Sequence, residues 1–352
     1  LTGNASDADG EDILTYCWEQ TDNGIVTSAS FSPTQVAGAN FRSLRPTTDP
    51  ERYFPKLSEI SVGNLTQTNP GINTAWETVS TVQRDLNFSL TVRDNATGGG
   101  QVDSDEIRVS VTEDAGPFVV TSQNSAESFA AGSVQEISWD VANTDQNPVN
   151  VQLVDIFLSL DGGLSFPIQL AEDVLNDGSH EVLLPGMTTS FGRFMVKASD
   201  NIFLAVNSTS FQITESDIVL QFDRLDETVC APADLVIPFE YQTYGGFNET
   251  VTFSSSGEPA GLGVAFNPTT ATANNTAVTM TLSNTAGVSP GIYPITAIAT
   301  GTTSSQQVVV NVEILDGSFS DVVLTAPSDG ATEISVGPSL EWQGDDAYSS
   351  YD

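Results

Sequence analysis

Apolar and polar residues alternate with a period of two along most of the chain. Such alternation is typical of antiparallel strands that have one face on a core and the other in solvent. Turn sequences such as Asp161-Gly162-Gly163 lie between the alternating runs, and no segment has the period of an amphipathic helix. The clearest alternating runs are 86–92, 107–111, 137–141, 194–198, 278–282 and 308–314. The sequence therefore predicts an all-β protein.

A tryptophan recurs on a predicted strand in three parts of the chain, at Trp18, Trp139 and Trp342. A buried tryptophan at such a position fills the space between two packed sheets. We therefore predict tandem Ig-like and fibronectin-type-III-like β-sandwiches. Because two strands cannot bury both faces of a sandwich, we expect the last module to be incomplete and the chain to be a piece of a longer polypeptide. The predicted modules are 1–115 with a long insertion at 38–82, 116–215, 216–316 and the incomplete, fibronectin-type-III-like 317–352.

The charge of the chain disfavours several classes of function. Among 352 residues there are 10 Lys+Arg and 46 Asp+Glu, which gives a net charge of −36. A protein that binds nucleic acid through its phosphates needs cations, so we expect no nucleic-acid partner. Anionic membrane surfaces are equally unfavourable, and without an apolar run of 18 residues we expect no membrane insertion. An acidic, lysine-poor surface suits an extracellular setting that contains salt.

The segment 4–20 resembles the start of PKD-like and cadherin-like Ig modules, which read Asp-x-Asp-Gly-Asp-x-Leu-Thr-Tyr-x-Trp. Here the residues are Asp7-Ala-Asp9-Gly-Glu11-Asp12-Ile-Leu-Thr-Tyr-Cys-Trp18. The segments 52–57 and 116–142 resemble the accessory region that follows the catalytic domain in secreted bacterial reprolysin-like zinc metallopeptidases, a group often exported by the type IX route. The resemblance covers 1–215 well and is moderate beyond it.

This resemblance implies a secreted or cell-surface bacterial protein that accompanies a zinc metallopeptidase. Its partner would be the catalytic domain of the same parent chain, or other surface proteins. Zinc peptidases of that class need a His-Glu-x-x-His helix, whereas the chain has one histidine, His180. We therefore expect no zinc site and no catalytic residue here. A Ser-His-Asp site at His180 is also disfavoured, because no nucleophile motif lies near it.

Closely spaced carboxylates near the N-terminus are the strongest candidate for a chemical site. Calcium takes six to eight hard oxygen ligands in flexible geometry, and acidic residues around a glycine turn suit it. The spacing is not that of an EF-hand. The alternative is a solvated acidic turn, in which Asp and Gly supply the backbone geometry. The candidate calcium ligands are Asp7, Asp9, Glu11 and Asp12, joined by Asp94, Asp103 and Asp105 if the first and last strands of the module share an end.

The insertion is unusually basic and aromatic for this chain. Five of the ten cationic residues fall within 42–84. One interpretation is that the insertion binds a partner domain by complementary charge. The other, which we favour, is that it packs on its own module, with Arg42 and Arg52 paired to nearby acids. Tyr53 and Trp76 form the one aromatic pair that could bind carbohydrate.

Two further features have structural interpretations. Ser159-Leu-Asp161-Gly-Gly163-Leu-Ser165-Phe matches the Asp-box pattern of sialidase-type hairpins, where we expect Asp161 to close the turn through backbone hydrogen bonds. Cys17 and Cys230 are far apart in sequence, and we expect no disulfide between them.

These observations predict a non-catalytic β-sandwich array in a larger secreted or cell-surface protein, which spaces, stabilises or targets a zinc metallopeptidase. Two other functions stay open. The modules could be the stalk of an adhesin or fibre-forming protein that self-associates through sheet edges. They could also form a carbohydrate-binding array, which would need an exposed aromatic platform.

Overall fold

The computed structural model describes residues 1–8, 12–317, 323–326, 332 and 341–343. They belong to two compact units, Leu1–Ser216 and Asp217–Asp352. Within the described residues, helical structure is confined to α1 (Leu57–Ile60) and a 3-10 turn at Thr285–Gly287. The predicted all-β fold is therefore confirmed.

The first module contains a single antiparallel sheet in its described residues. The sheet has the order β1 (Thr15–Gln20), β2 (Arg84–Arg93), β3 (Val102–Val111). Its apolar face carries Trp18 from β1 and the alternating β2 side chains Leu86, Phe88 and Leu90, all at most 8% exposed. A sheet with one apolar face needs a second layer to exclude water from it.

The insertion 38–82 provides that layer. Its Phe41 and Phe54 rings contact the Phe88 ring, with centroids 6.3 Å and 4.7 Å away. The interpretation that the insertion packs on its own module is therefore confirmed, and among the described residues of this module it takes the place of the second sheet of an Ig-like sandwich. Isolated bridges, Thr2 with Glu51 and Tyr16 with Thr47, join it to the N-terminal segment and to β1.

A buried ion pair holds the insertion together. Arg52 Nη2 lies 3.1 Å from Glu77 Oε1, and the two side chains are 9% and 1% exposed. Arg52 also donates to the backbone carbonyls of Trp18 and Arg42, and Glu77 Oε2 accepts the backbone N–H of Lys56 at 3.0 Å. Burial lowers the pKa of Arg52, and the hydrogen bond and charge of Glu77 oppose that effect. Arg42, expected to pair with an acid, has no ion pair among the described residues.

The second module is a sandwich of two sheets. One sheet has the order β4 (Val119–Val120), β6 (Val134–Asp140), β9 (Ser179–Leu183). The other has the order β5 (Ser128–Ala130), β12 (Phe211–Thr214), β10 (Thr189–Ala198), β7 (Leu153–Ser159), β8 (Ile168–Leu175), with β11 (Leu204–Val206) also paired to β10. Trp139 on β6 is 4% exposed and donates from Nε1 to Asn176 Oδ1 at 2.9 Å, so it occupies the inter-sheet position predicted for it.

The second unit contains a further two-sheet sandwich. One sheet has the order β13 (Ile218–Phe222), β15 (Leu235–Thr243), β19 (Thr276–Ser283), β17 (Gly263–Asn267). The other has the order β14 (Asp226–Cys230), β21 (Ser305–Leu315), β20 (Gly291–Thr300), β16 (Val251–Ser256), β18 (Thr270–Ala271). On β21 the side chains of Val308, Val310 and Val312 are at most 1% exposed, whereas Val309 is 36% exposed. The predicted alternation is thus present in the core.

The C-terminal segment contributes β22 (Val323–Ala326) and β23 (Glu341–Gln343), which pair antiparallel. Trp342 lies on β23, as predicted. Most of 317–352 lies outside the described residues, so an incomplete fibronectin-type-III-like module remains a prediction, as do the other module boundaries. None of the described helices is long and apolar enough to cross a membrane.

We predict that Glu77→Gln destabilises the first module by about 3 kcal/mol, because it leaves the buried guanidinium of Arg52 without a counter-charge. The free energy of unfolding is measured by urea titration, with hydrogen exchange of the β2 amides as the readout. Arg108→Gln is the matched control, since its partner Asp85 is 3.7 Å away and the side chains are 68% and 50% exposed; it should cost at most about 1 kcal/mol. Equal stability of Glu77→Gln and the parent chain would contradict the role of the pair.

Candidate metal centre

Three of the predicted calcium ligands come together at one end of the first sheet. Oxygen atoms of Asp7, Asp12 and Asp94 all lie within 4.8 Å of one another; we call these residues the acidic cluster. Strand pairing explains the approach, because β1 and β2 are antiparallel and Thr15 is opposite Arg93. The residues before β1 therefore meet the residue that follows β2.

The turn after β2 fixes Asp94. Its side chain is 8% exposed and accepts backbone N–H groups from Ala96 at 3.1 Å and Gln101 at 2.8 Å. Asn95 is left-handed, with φ 57°, and its Nδ2 donates to the carbonyl of Ile13 at 2.8 Å. The turn is thus tied to the segment that leads into β1, which orders one side of the acidic cluster.

The remaining predicted ligands do not all reach this point. Asp103 and Asp105 lie on β3, opposite Val92 and Leu90, and are exposed and outside the acidic cluster among the described residues. Each accepts the backbone N–H of the residue that follows it, at 2.8 Å. Asp9 and Glu11 lie outside the described residues. The arrangement supplies three hard carboxylates, a donor set that suits calcium in chemical type.

Tyr53 and Trp76 have different surroundings within the insertion. The Trp76 ring lies 5.4 Å from that of Phe31, and its Nε1 donates to the Gly71 carbonyl at 2.9 Å. Tyr53 is half-buried, and burial together with the nearby Glu51 raises the pKa of its hydroxyl. Among the described residues no ring contact joins the two aromatic side chains, and an exposed aromatic platform for carbohydrate at these residues stays a prediction.

An open, basic groove on the insertion was not predicted from the sequence. Its volume is about 610 Å³. It is lined by cationic, amide and hydroxyl side chains, with one acid. The lining residues are Arg42, Ser43, Leu44, Arg45, Lys56, Glu59, Asn64, Gln67, Asn73, Thr74 and Ala75. The high density of cations in this stretch was the available signal, but the lining comes from three separate loop segments, which no spacing rule joins.

The insertion also contacts the second module within the first compact unit. Lys197 Nζ on β10 lies 3.1 Å from Glu51 Oε1, and the two side chains are 30% and 29% exposed. Lys197 is one of only two lysines in the chain. In this pair the insertion supplies the acid and the second module supplies the cation, so none of the insertion's own cations is used in it.

The Asp-box hairpin is structural, as predicted. Asp161 accepts hydrogen bonds from the hydroxyls of Ser159 and Ser165, at 2.7 Å and 2.6 Å, and from the backbone N–H groups of Leu164 and Ser165, both at 3.0 Å. Burial alone would raise the pKa of Asp161, but these hydrogen bonds outweigh it and lower the pKa to about 2. The carboxylate therefore closes the turn between β7 and β8.

The cysteines and the histidine are not gathered into a site in the described residues. Cys17 and Cys230 are both free thiols, and burial, with the charge of Glu19, raises the pKa of Cys17. A raised pKa keeps a thiol protonated and unreactive. His180 lies on β9, opposite Ile137 of β6.

No protein-family model and no curated protein sequence matches this chain. Similar solved structures include domains 1–6 of the surface layer protein SbsC (TM-score 0.22, 12% identity, 71% of this chain and 35% of that one). The titin I-band fragment I67–I69 is similar at TM-score 0.19 and 12% identity, over 86% of this chain and 88% of that one. The chain thus spans about a third of the surface layer structure's length. Likenesses at such TM-scores carry no argument about function.

We predict that Asp161→Asn destabilises the second module at neutral pH by about 1 kcal/mol, a value that allows for solvent screening of this exposed group. Because the pKa is lowered on folding from 3.8 to about 2, the contribution is fully present above about pH 4 and is lost as the pH falls towards 2. Thermal unfolding between pH 2 and pH 7 measures it.

The matched control is Asp200→Asn in the same module, an exposed carboxylate with no hydrogen-bond partner among the described residues. Its stability should follow that of the parent chain at every pH. A difference between Asp161→Asn and the parent chain that persists undiminished at pH 2 would contradict the assignment.

Proposed function

We propose that the chain is a non-catalytic, tandem array of Ig-like β-sandwich modules within a larger surface or structural protein. The observation that carries the proposal is the succession of separate hydrophobic cores along the chain, built around the buried side chains of Trp18, Trp139 and Tyr241. Asp161 and Arg52 have structural roles in these modules: Asp161 closes a hairpin, and Arg52 forms a buried ion pair.

An extracellular location is supported by the charge of −36. Like-charge repulsion keeps such modules soluble, and salt or divalent cations screen it. The finer assignment, an accessory region of a secreted bacterial metallopeptidase, rests on the resemblance of segments such as 4–20 and 116–142 alone. No matching family model supports it.

Edge strands bear on the alternative of a self-associating stalk. β3 is an edge of the first sheet and presents the exposed acids Asp103, Asp105 and Glu106. Like charges on an edge oppose pairing with another copy of the same edge. This feature favours a spacing module over a fibre that grows through β3.

The sequence on both sides of this chain in its gene tests the assignment to a larger protein. A His-Glu-x-x-His helix upstream and a sorting domain downstream are the result expected for the metallopeptidase accessory region. If more sandwich modules lie on both sides and no catalytic motif is found, the assignment to a tandem array stands, and a stalk function replaces the metallopeptidase accessory function. Hydrolysis of casein or glycans by the purified chain would overturn the non-catalytic assignment.

We further propose that the acidic cluster binds calcium and stiffens the first module. The approach of Asp7, Asp12 and Asp94 within 4.8 Å favours this, since carboxylates held so close together repel one another and a divalent cation reduces that repulsion. Bound calcium would tie the segment before β1 to the turn after β2. Three carboxylates leave coordination positions for water or for further oxygens.

We predict that calcium at a hundredfold excess over its dissociation constant stabilises the first module by about 2.7 kcal/mol, because it binds only the folded state. Thermal unfolding with and without calcium measures the effect. Asp7→Asn should abolish it, and so should Asp94→Asn, although the latter also weakens the turn.

Asp103→Asn is the matched control, because it removes the same charge from an exposed position outside the acidic cluster. It should keep the calcium response of the parent chain. The absence of any calcium response in the parent chain, or an equal loss in Asp103→Asn, would contradict the site and support a solvated acidic turn.

A further inference from the structure

The basic groove concentrates cations on a strongly acidic protein. Three of the chain's ten cationic residues line it, Arg42, Arg45 and Lys56, against the single acid Glu59. Glu59 lies 3.9 Å from Lys56 Nζ and accepts from Asn64 Nδ2 at 3.1 Å, so it offsets one of the three cations. The groove therefore has a local positive charge on a chain whose net charge is −36.

The two arginines of the groove are exposed and unsatisfied. Among the described residues, the guanidinium groups of Arg42 and Arg45 have neither a hydrogen bond nor an ion pair. Two other arginines of the first module are used internally, Arg52 with Glu77 and Arg84 with Asn40 Oδ1 at 2.8 Å. A guanidinium offers a planar fork of N–H donors that fits carboxylate or sulfate oxygens.

Neutral donors lie beside these cations. Gln67 Oε1 accepts the backbone N–H of Trp76 at 3.0 Å, which leaves its Nε2 group without a partner among the described residues. Asn73, also on the lining, has no side-chain hydrogen bond in the described part of the chain. Amides and hydroxyls of this kind hydrogen-bond neutral hydroxyl groups as well as anions.

The groove is built on an ordered frame. Arg52 donates to the carbonyl of Arg42 at 2.7 Å, and Glu77 accepts the N–H of Lys56 at 3.0 Å. The buried ion pair therefore fixes the backbone of two cationic lining residues. A frame fixed in advance reduces the entropy that binding must overcome.

The chemistry of the lining favours one class of ligand. Two of its residues, Leu44 and Ala75, are apolar, so it lacks the apolar pockets that anchor a peptide's side chains. The lining comes from loops and α1 and includes no residue of β1, β2 or β3, so it offers no strand edge to a peptide backbone. No aromatic side chain of the described residues lines the groove, so it lacks the stacking platform that holds the bases of single-stranded nucleic acid. A sugar chain combines hydroxyl groups with spaced anionic groups and fits such a lining.

We propose that the basic groove, with Arg42, Arg45 and Lys56 as its cationic contacts, binds an acidic glycan through the carboxylate or sulfate groups of its sugars. This assignment is independent of the array proposal and of the acidic cluster. It also differs from an aromatic platform at Tyr53 and Trp76, because charge and amide donors carry the recognition.

Binding of defined polymers to the full chain tests the proposal. Polygalacturonate supplies carboxylates, dextran sulfate supplies sulfates, and neutral dextran supplies neither. We expect one or both anionic polymers to bind at low ionic strength, more weakly as salt is added, and neutral dextran not to bind. The anionic polymer that binds with the higher affinity shows whether the groove recognises carboxylate or sulfate groups.

The double variant Arg42→Gln/Arg45→Gln should bind the preferred polymer at least about tenfold more weakly, because it loses charge-assisted hydrogen bonds. The control Arg108→Gln/Arg224→Gln removes the same charge from exposed positions outside the groove and should bind like the parent chain. Both pairs are exposed, and equal thermal unfolding temperatures confirm that the variants fold. Lys56→Gln removes the third cationic contact and should also weaken binding, which tests the groove independently.

Three results would overturn the proposal. One is no binding of either anionic polymer at low salt, and another is an equal loss of affinity in the two double variants. The third is displacement of the bound glycan by poly-glutamate with equal or greater affinity, which would assign the groove to an acidic protein segment instead.

Discussion

The first module depends on the buried ion pair between Arg52 and Glu77. These side chains lie in the insertion, 3.1 Å apart and at most 9% exposed. Taking two charges out of water is costly unless further hydrogen bonds satisfy them. Here the backbone of Trp18, Arg42 and Lys56 supplies such bonds, while Arg52 Nε has no partner among the described residues. The pair consequently holds a long irregular segment in one conformation. That conformation presents Phe41 and Phe54 to the apolar face of the sheet.

The few cationic side chains of this chain have different roles. Arg52 is buried for stability, Lys197 joins the second module to Glu51, and Arg42 and Arg45 remain exposed on the basic groove. On a surface of net charge −36, each cation is a local exception to the general repulsion. The acidic cluster, in contrast, brings carboxylates together where a bound divalent cation would reduce their mutual repulsion. Both features belong to the first module, whereas the two-sheet modules described after it are regular sandwiches.

The sequence predicted the regular parts of the fold because period-two alternation reports burial directly. Val308, Val310 and Val312 illustrate this on β21, and Asp161 illustrates how a local turn motif predicts its own hydrogen bonds. The packing of the insertion on its own module was predicted, but the part that Phe41 and Phe54 play in it was not, since these residues lie in loops without a period. Arg52 and Glu77 are 25 residues apart, and no local rule pairs them.

The candidate sites were predicted only in part for the same reason. Asp94 was expected beside Asp7 and Asp12 if the first and last strands of the module share an end. It lies there because β2, which it follows, pairs antiparallel with β1. Asp103 and Asp105 do not join them, because β3 carries them away along the sheet edge. The basic groove depends on how three loop segments fold together, which the sequence pattern does not encode.

Hydrogen exchange of the intact chain, resolved by segment, tests most directly the claim that the chain is a succession of sandwich modules whose first member is completed by the insertion. The account predicts slow exchange in the cores around Trp18, Trp139 and Tyr241. It also predicts protection of Arg52 and Thr78, whose backbone N–H groups donate to Leu1 and Asn40 at 2.8 Å and 3.0 Å. Exchange of the whole insertion at the rate of an open loop, while β2 stays protected, would contradict the account.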